Sequence, residues 1–231
     1  MSATLHPSAY RAPAWLPDGH SQTIYPALCL GGARPAYQRE RWATPDGGEI
    51  TVDRLPGRQG MPLLWLLHGL EGGSDSHYAR ALMRAAQARG WHGVVSHFRG
   101  CGGAVNTLPR AYHAGDSAEV AWLLARLASE GRPLCAVGVS LGGNMLLKHL
   151  GEAGASAPLC AAAAVSAPLD LAAAGRMLER GLARQLYTRM FLRTLKPASL
   201  ATAHRHPGLI DVRRAQASRT LREFDDAVTA P

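Results

Sequence analysis

The chain has 231 residues, long enough to bury one substantial core, and its composition, 47% hydrophobic and 18% charged, excludes an intrinsically disordered polymer. The formal charge of +8 comes almost entirely from arginines scattered singly, without a long run of like charge or an interleaved aromatic platform, which argues against a nucleic-acid partner. No stretch reaches the roughly 18 uninterrupted apolar residues of a membrane span; the longest, LCAAAAVSAPLDLAAA, is broken by Ser166, Pro168 and Asp170.

Taken in chain order, residues 1–38 are rich in Pro, Gly and aromatics without clear periodicity, and read as an extended arm packed on a larger body. The start lacks a basic region followed by an apolar one, so no signal peptide is expected and the cytoplasm is the default location. From Arg39 a hairpin is predicted, with PDGG (Pro45 to Gly48) as the turn and EITVDRL as the returning strand. Short apolar runs then alternate with amphipathic stretches. PLLWLLHG, WHGVVSHF, PLCAVGVS and LCAAAAVSAP read as buried strands. HYARALMRAAQARG, SAEVAWLLARLASEG and LGGNMLLKHLGEAG read as the helices between them, the first two closing on Gly90 and Gly131. That alternation predicts an α/β fold, a mostly parallel sheet with helices on both faces.

After Pro168 the rhythm stops. Residues 171–231 read as helices and turns with apolar positions Leu178, Leu182, Leu186 and Met190 at helical spacing, and show no further buried strand. The division expected is therefore an arm (1–38), an α/β core (39–170) and a cap-like helical segment (171–231). Arg184, Arg189, Arg193, Arg205, Arg213, Arg214, Arg219 and Arg222 make that last segment the best place for an anion or peripheral membrane contact. Cys29, Cys101, Cys135 and Cys160 form no C-x-x-C pair and read as buried free thiols.

The chemistry concentrates in two places. Gly138, Ser140 and Gly142 form G-x-S-x-G between an apolar strand and a helix, where the hydroxyl stands exposed on a sharp turn. LLHGLEGG sets His-Gly directly after the first buried parallel strand. The backbone N–H groups of Leu70 and Leu141 are then candidate oxyanion donors, and His68 is expected to shape the loop rather than move protons.

These stretches, with APAWLPDGHSQTIYPAL and FRGCGGAVNTLPRAYHAGD, resemble in order and spacing the α/β-hydrolase subfamily of YheT-like and ABHD-type esterases and lipases. The resemblance covers roughly Ala12 to Pro168. It implies an α/β-hydrolase fold, Ser140 as the nucleophile, a helical cap after the last visible strand, and a small-molecule carboxylic ester of short acyl or monoacylglycerol type as substrate. GCGGAVN stands where relatives often carry GCSGEPN.

In this fold the acid and then the histidine follow the serine in chain order, each after a later strand. Neither strand is visible, so the final two strands are expected to be missing and the chain to be an incomplete hydrolase, or a non-catalytic remnant that keeps a binding pocket. Asp170 is the best local acid; His149, His204 and His206 are the downstream histidines, each with a surface or capping role the simpler expectation. There is no H-E-x-x-H or phosphate-binding loop, and no metal or cofactor is expected.

Overall fold

The computed structural model describes residues 7–229. Its centre is a six-stranded sheet in the order β1-β2-β4-β3-β5-β6. β1 (Gln38–Ala43) and β2 (Glu49–Leu55) form the expected hairpin around Pro45–Gly48, and β2 runs antiparallel to β4 (His92–Ser96). β4, β3 (Leu63–Leu67), β5 (Leu134–Val139) and β6 (Ala161–Val165) are parallel, and these are the four strands that the apolar runs predict.

The crossovers are α2 (His77–Ala88), α3 (Ser117–Ala128) and α4 (Leu141–Ala153). Period-two alternation along β3 splits its side chains between two cores. Leu63, Trp65 and Leu67 pack with Val120, Leu124, Met145 and Leu146 of α3 and α4, while Leu64 and Leu66 pack with Ala79, Met83 and Ala86 of α2. Helices therefore cover both faces of the sheet's centre, each buried Leu or Met contributing about 1.5–3 kcal/mol.

Three expectations need correction. The N-terminal arm is not wholly extended: α1 (Gly19–Cys29) forms within it and lies against α2. Asp18 caps it, accepting from the His20 and Ser21 N–H groups at 2.8 and 3.0 Å, while Ser21 Oγ returns a bond to the Asp18 backbone. Residues 1–6 of that arm lie outside the described residues. The cysteines are free but not buried: Cys29 and Cys160 are exposed, Cys101 and Cys135 partly so. Cys160 leads into β6, whose five residues are all exposed; among the described residues nothing pairs with its outer edge.

The third correction concerns the apolar spacing after Pro168. α5 (Leu171–Leu178) ends at Leu178, and Gly181 turns the chain at φ +48° into the one-turn α6 (Gly181–Ala183). A π-helical turn over Arg184–Thr188 then leads into α7 (Arg189–Arg205). The four residues thus lie on a broken path, and Leu182, Leu186 and Met190 are exposed rather than packed. α8 (Val212–Ala217) and α9 (Leu221–Val228) complete the segment, capped by Asp211 and Thr220. No described helix is long and apolar enough to cross a membrane.

Candidate active site

Three non-glycine residues among those described have positive φ: Glu71 (54°), Ser140 (52°) and Ser166 (51°). Each follows the C-terminal end of one of three adjacent strands, β3, β5 and β6. Strained backbone gathered at one edge of a parallel sheet, at the carboxyl ends of its strands, marks where this architecture places ligands.

Ser140 holds its conformation because its neighbours leave no alternative. Its N–H donates to the Val165 carbonyl at 2.9 Å, and its own carbonyl begins the ladder of α4 by accepting from Asn144. The flanking glycines are required by contact: a Cβ on Gly138 would stand 2.5 Å from the Gly142 carbonyl oxygen, and one on Gly142 would stand 2.5 Å from that of His68. The helix start is thereby pressed against the loop after β3. A Cβ at Gly69 would lie 3.3 Å from that of Ser140, so the HGLEGG loop and the serine are immediate neighbours.

That loop is pinned from beneath. His68 is fully buried; its Nδ1–H donates to the Gly69 carbonyl at 2.7 Å and its Nε2 accepts from the Phe98 N–H at 3.2 Å, which fixes one neutral tautomer. Burial above all, with nearby His97, holds its pKa down at about 3, against the pull of the Gly69 bond. His68 is thus a structural residue, as its place in the sequence suggests. The Tyr78 hydroxyl accepts from the Gly69 N–H at 2.9 Å.

Sequence reasoning missed the rest of this support. The Tyr112 hydroxyl donates to Glu71 Oε1 at 2.7 Å and accepts from the Glu71 N–H at 3.4 Å, clamping the left-handed residue beside Leu70. Its ring stacks on Phe98, whose ring in turn meets His68 at 4.2 Å between centroids. Burial first, then the Glu71 carboxylate, pushes the neighbouring Cys101 thiol up to about 12, so it is no nucleophile at neutral pH. Further out, buried Asp53 accepts from Arg39 (two bonds of 2.7 Å), from His97 Nε2 (3.0 Å) and from Ser74 Oγ. Burial pushes the Asp53 carboxyl up, but these bonds outweigh it and hold the group well below the usual carboxylate range. Asp53 so ties the far end of the HGLEGGS loop to β2 and β4. No spacing in the sequence announces Tyr112 or Asp53.

Leu70, Ser140 and Leu141 all open on a cavity of about 860 Å³. Its other walls come from the loop between β4 and α3, residues 99–114, and from the helices after β6, through Leu171, Phe191, Leu195 and Phe224. Among the described residues, neither the Leu70 nor the Leu141 N–H has a protein acceptor, the latter because the first N–H groups of a helix have no partner within it. Two free donors and a hydroxyl thus belong to residues that line one largely apolar space, a setting suited to stabilising negative charge on a ligand oxygen.

The candidate activators are elsewhere. Asp170 caps α5 by accepting from the Ala173 N–H at 2.8 Å. His149 is buried on α4, His204 is exposed, and His206 Nε2 donates to the Thr107 carbonyl at 2.9 Å. None is hydrogen-bonded to Ser140. No group of three or more His, Cys, Asp or Glu side chains that could hold a metal occurs among the described residues.

Residues 62–196 match the family described as alpha/beta hydrolase fold. The chain is 40% identical over 218 residues to the "Putative esterase YheT" of Escherichia coli, covering 91% of this chain and 64% of that protein. It is 30% identical to the mouse "Phospholipase ABHD3", over 96% of this chain and 56% of the relative. The chain thus spans between half and two thirds of the length of these relatives. Among solved structures, an esterase of Pyrococcus furiosus superposes with a TM-score of 0.51 at 20% identity, covering 70% of this chain and 62% of that one, a likeness of fold.

Proposed function

Since the chain belongs to the α/β hydrolase family, we propose that it is built as a serine hydrolase of carboxylic esters, with Ser140 as the nucleophile. The observation that carries this reading is the left-handed Ser140 on its strand-to-helix turn, facing a cavity beside the two unpaired N–H groups of Leu70 and Leu141. In this scheme the Ser140 hydroxyl oxygen attacks the acyl carbon as a base removes its proton, and the carbonyl oxygen, now negative, takes hydrogen bonds from the two N–H groups. Collapse breaks the bond to the leaving alcohol, which takes up the proton and departs, leaving an acyl-enzyme on Ser140 for water to hydrolyse. The apolar wall of Leu171, Phe191 and Leu195 suits an acyl chain, from short esters to monoacylglycerol-like substrates. Names of relatives as esterase and phospholipase point the same way.

A second reading has its own observation. No histidine or carboxylate among the described residues is hydrogen-bonded to the Ser140 hydroxyl, and a serine without a base is a poor nucleophile at neutral pH. On that reading the cavity binds an ester or acyl ligand without turning it over. A fluorophosphonate probe followed by peptide mapping separates the two. Labelling at Ser140, abolished in Ser140→Ala, together with turnover of p-nitrophenyl acetate lost in the same variant, supports the hydrolase. A folded chain that is neither labelled nor active supports the binding protein.

A further inference from the structure

A second concavity, of about 1020 Å³, opens on the other side of α7 from the Ser140 cavity. Phe191, Leu195 and Ala198 of this helix face the first space; Arg189, Arg193 and Lys196 line the second, joined by Arg184 and Arg219. Lys196 is already used, its Nζ donating to the Gln216 and Ser218 carbonyls at 2.8 and 2.7 Å, which holds the α8–α9 connection against α7. The four arginines are not: among the described residues none pairs with a carboxylate, although Glu179 shares the rim. Exposed Leu182 (56%), Leu186 (37%) and Met190 (53%) are interleaved with them along the same helical path.

We propose that this face docks the chain on the surface of an anionic phospholipid bilayer, the arginines taking lipid phosphates and Leu182, Leu186 and Met190 entering the headgroup boundary. Unpaired cations alone would suit any polyanion. Apolar side chains exposed between them are what an interfacial helix presents, and what a nucleic-acid surface would leave in water. The aromatic groups that could stack on bases are committed elsewhere: Tyr187 stacks on His20 and hydrogen-bonds its Nδ1 at 3.0 Å, and Phe191 lines the Ser140 cavity. Docked this way, α7 would lie between the bilayer and the Ser140 cavity. The inference stands without the hydrolase reading, because binding is its readout.

Sedimentation of the full 231-residue chain with phosphatidylcholine vesicles, with and without phosphatidylglycerol, tests it. The expected result is binding only to the anionic vesicles, weakened by salt. Arg189→Glu/Arg193→Glu should lower the affinity at least about thirtyfold, from roughly fivefold for each arginine near a charged surface. Leu182→Ser/Met190→Ser should lower it severalfold. Should the charge-reversed pair fail to fold by circular dichroism, Arg189→Gln/Arg193→Gln is the variant to read. No binding, equal binding to neutral vesicles, or indifference to the variants would overturn the proposal. So would variants that abolish binding to duplex DNA or self-association while leaving vesicle binding unchanged.

Discussion

β3 and β6 flank the same strand, β5, run parallel to it and are five residues each, yet β3 is buried at every position and β6 at none. Hydrogen-bonded pairing therefore does not by itself bury a strand; cover on both faces and a partner on each side do. β3 has α2 on one face, α3 and α4 on the other, and β4 and β5 beside it. The contrast extends to the loops. After β3 the chain is held by His68, Tyr78, Tyr112 and Ser74, whereas after β6 the Pro168 carbonyl, accepting from Asn144 Nδ2, and the Asp170 cap are the main ties. The loop that carries Leu70 is thus tied by more side chains than the one beside the open edge.

The most direct test of this asymmetry is Trp65→Ala in β3. The ring is fully buried and its Nε1–H donates to Ser96 Oγ at 2.9 Å, so chemical denaturation should show a loss of about 3–5 kcal/mol. Acid should strike the same side next. Folded His68 resists protonation down to about 3, while the unfolded chain takes the proton at the ordinary histidine value, so the unfolded state binds more protons in that window. Stability contributed by His68 is present above about pH 6.5 and falls by about 1.4 kcal/mol per unit as pH drops toward 3. Asp53, with its depressed carboxyl, adds a further loss only below the unfolded value of about 3.9. Melting temperatures across that range check this, and a flat profile would contradict the burial of His68. A smaller effect, about 1 kcal/mol, is expected for Tyr112→Phe, which removes the clamp on Glu71. If Leu70 serves as proposed, that variant also slows fluorophosphonate labelling of Ser140. Smallest of all, Val165→Ala at the end of β6 should change stability by less than about 0.5 kcal/mol, and a loss rivalling that of Trp65→Ala would erase the distinction between the strands.

The four parallel strands and three crossover helices were legible because period-two and period-3.6 patterns survive wherever both faces meet a core. Gly90 and Gly131 also take the positive φ that their place after a helix suggests. Ser140, Leu70 and Leu141 converge on one cavity because the motif carrying them is a local backbone requirement, readable from glycine spacing. α1 escaped notice because Pro26 and Gly19 mask a helix whose start rests on the capping pair Asp18 and Ser21. The exposed cysteines and leucines escaped for the converse reason. CAAAAV looks the same whether helices cover it or water does, and the Leu178–Met190 spacing continues across a break that Gly181 makes at positive φ. Tyr112 lies 41 residues from the Glu71 it clamps, and Asp53 21 residues from Ser74, separations at which sequence carries no local signal.

Glu71, Ser140 and Ser166 carry side chains in backbone shapes that glycine adopts without penalty. A mutational search for thermal resilience would therefore be drawn to these three positions, and most of all to Ser140→Gly, where relief of strain comes with removal of the hydroxyl. On the proposed reading, robustness and chemistry make opposite demands at this one residue, since the substitution that relaxes the backbone also removes the nucleophile.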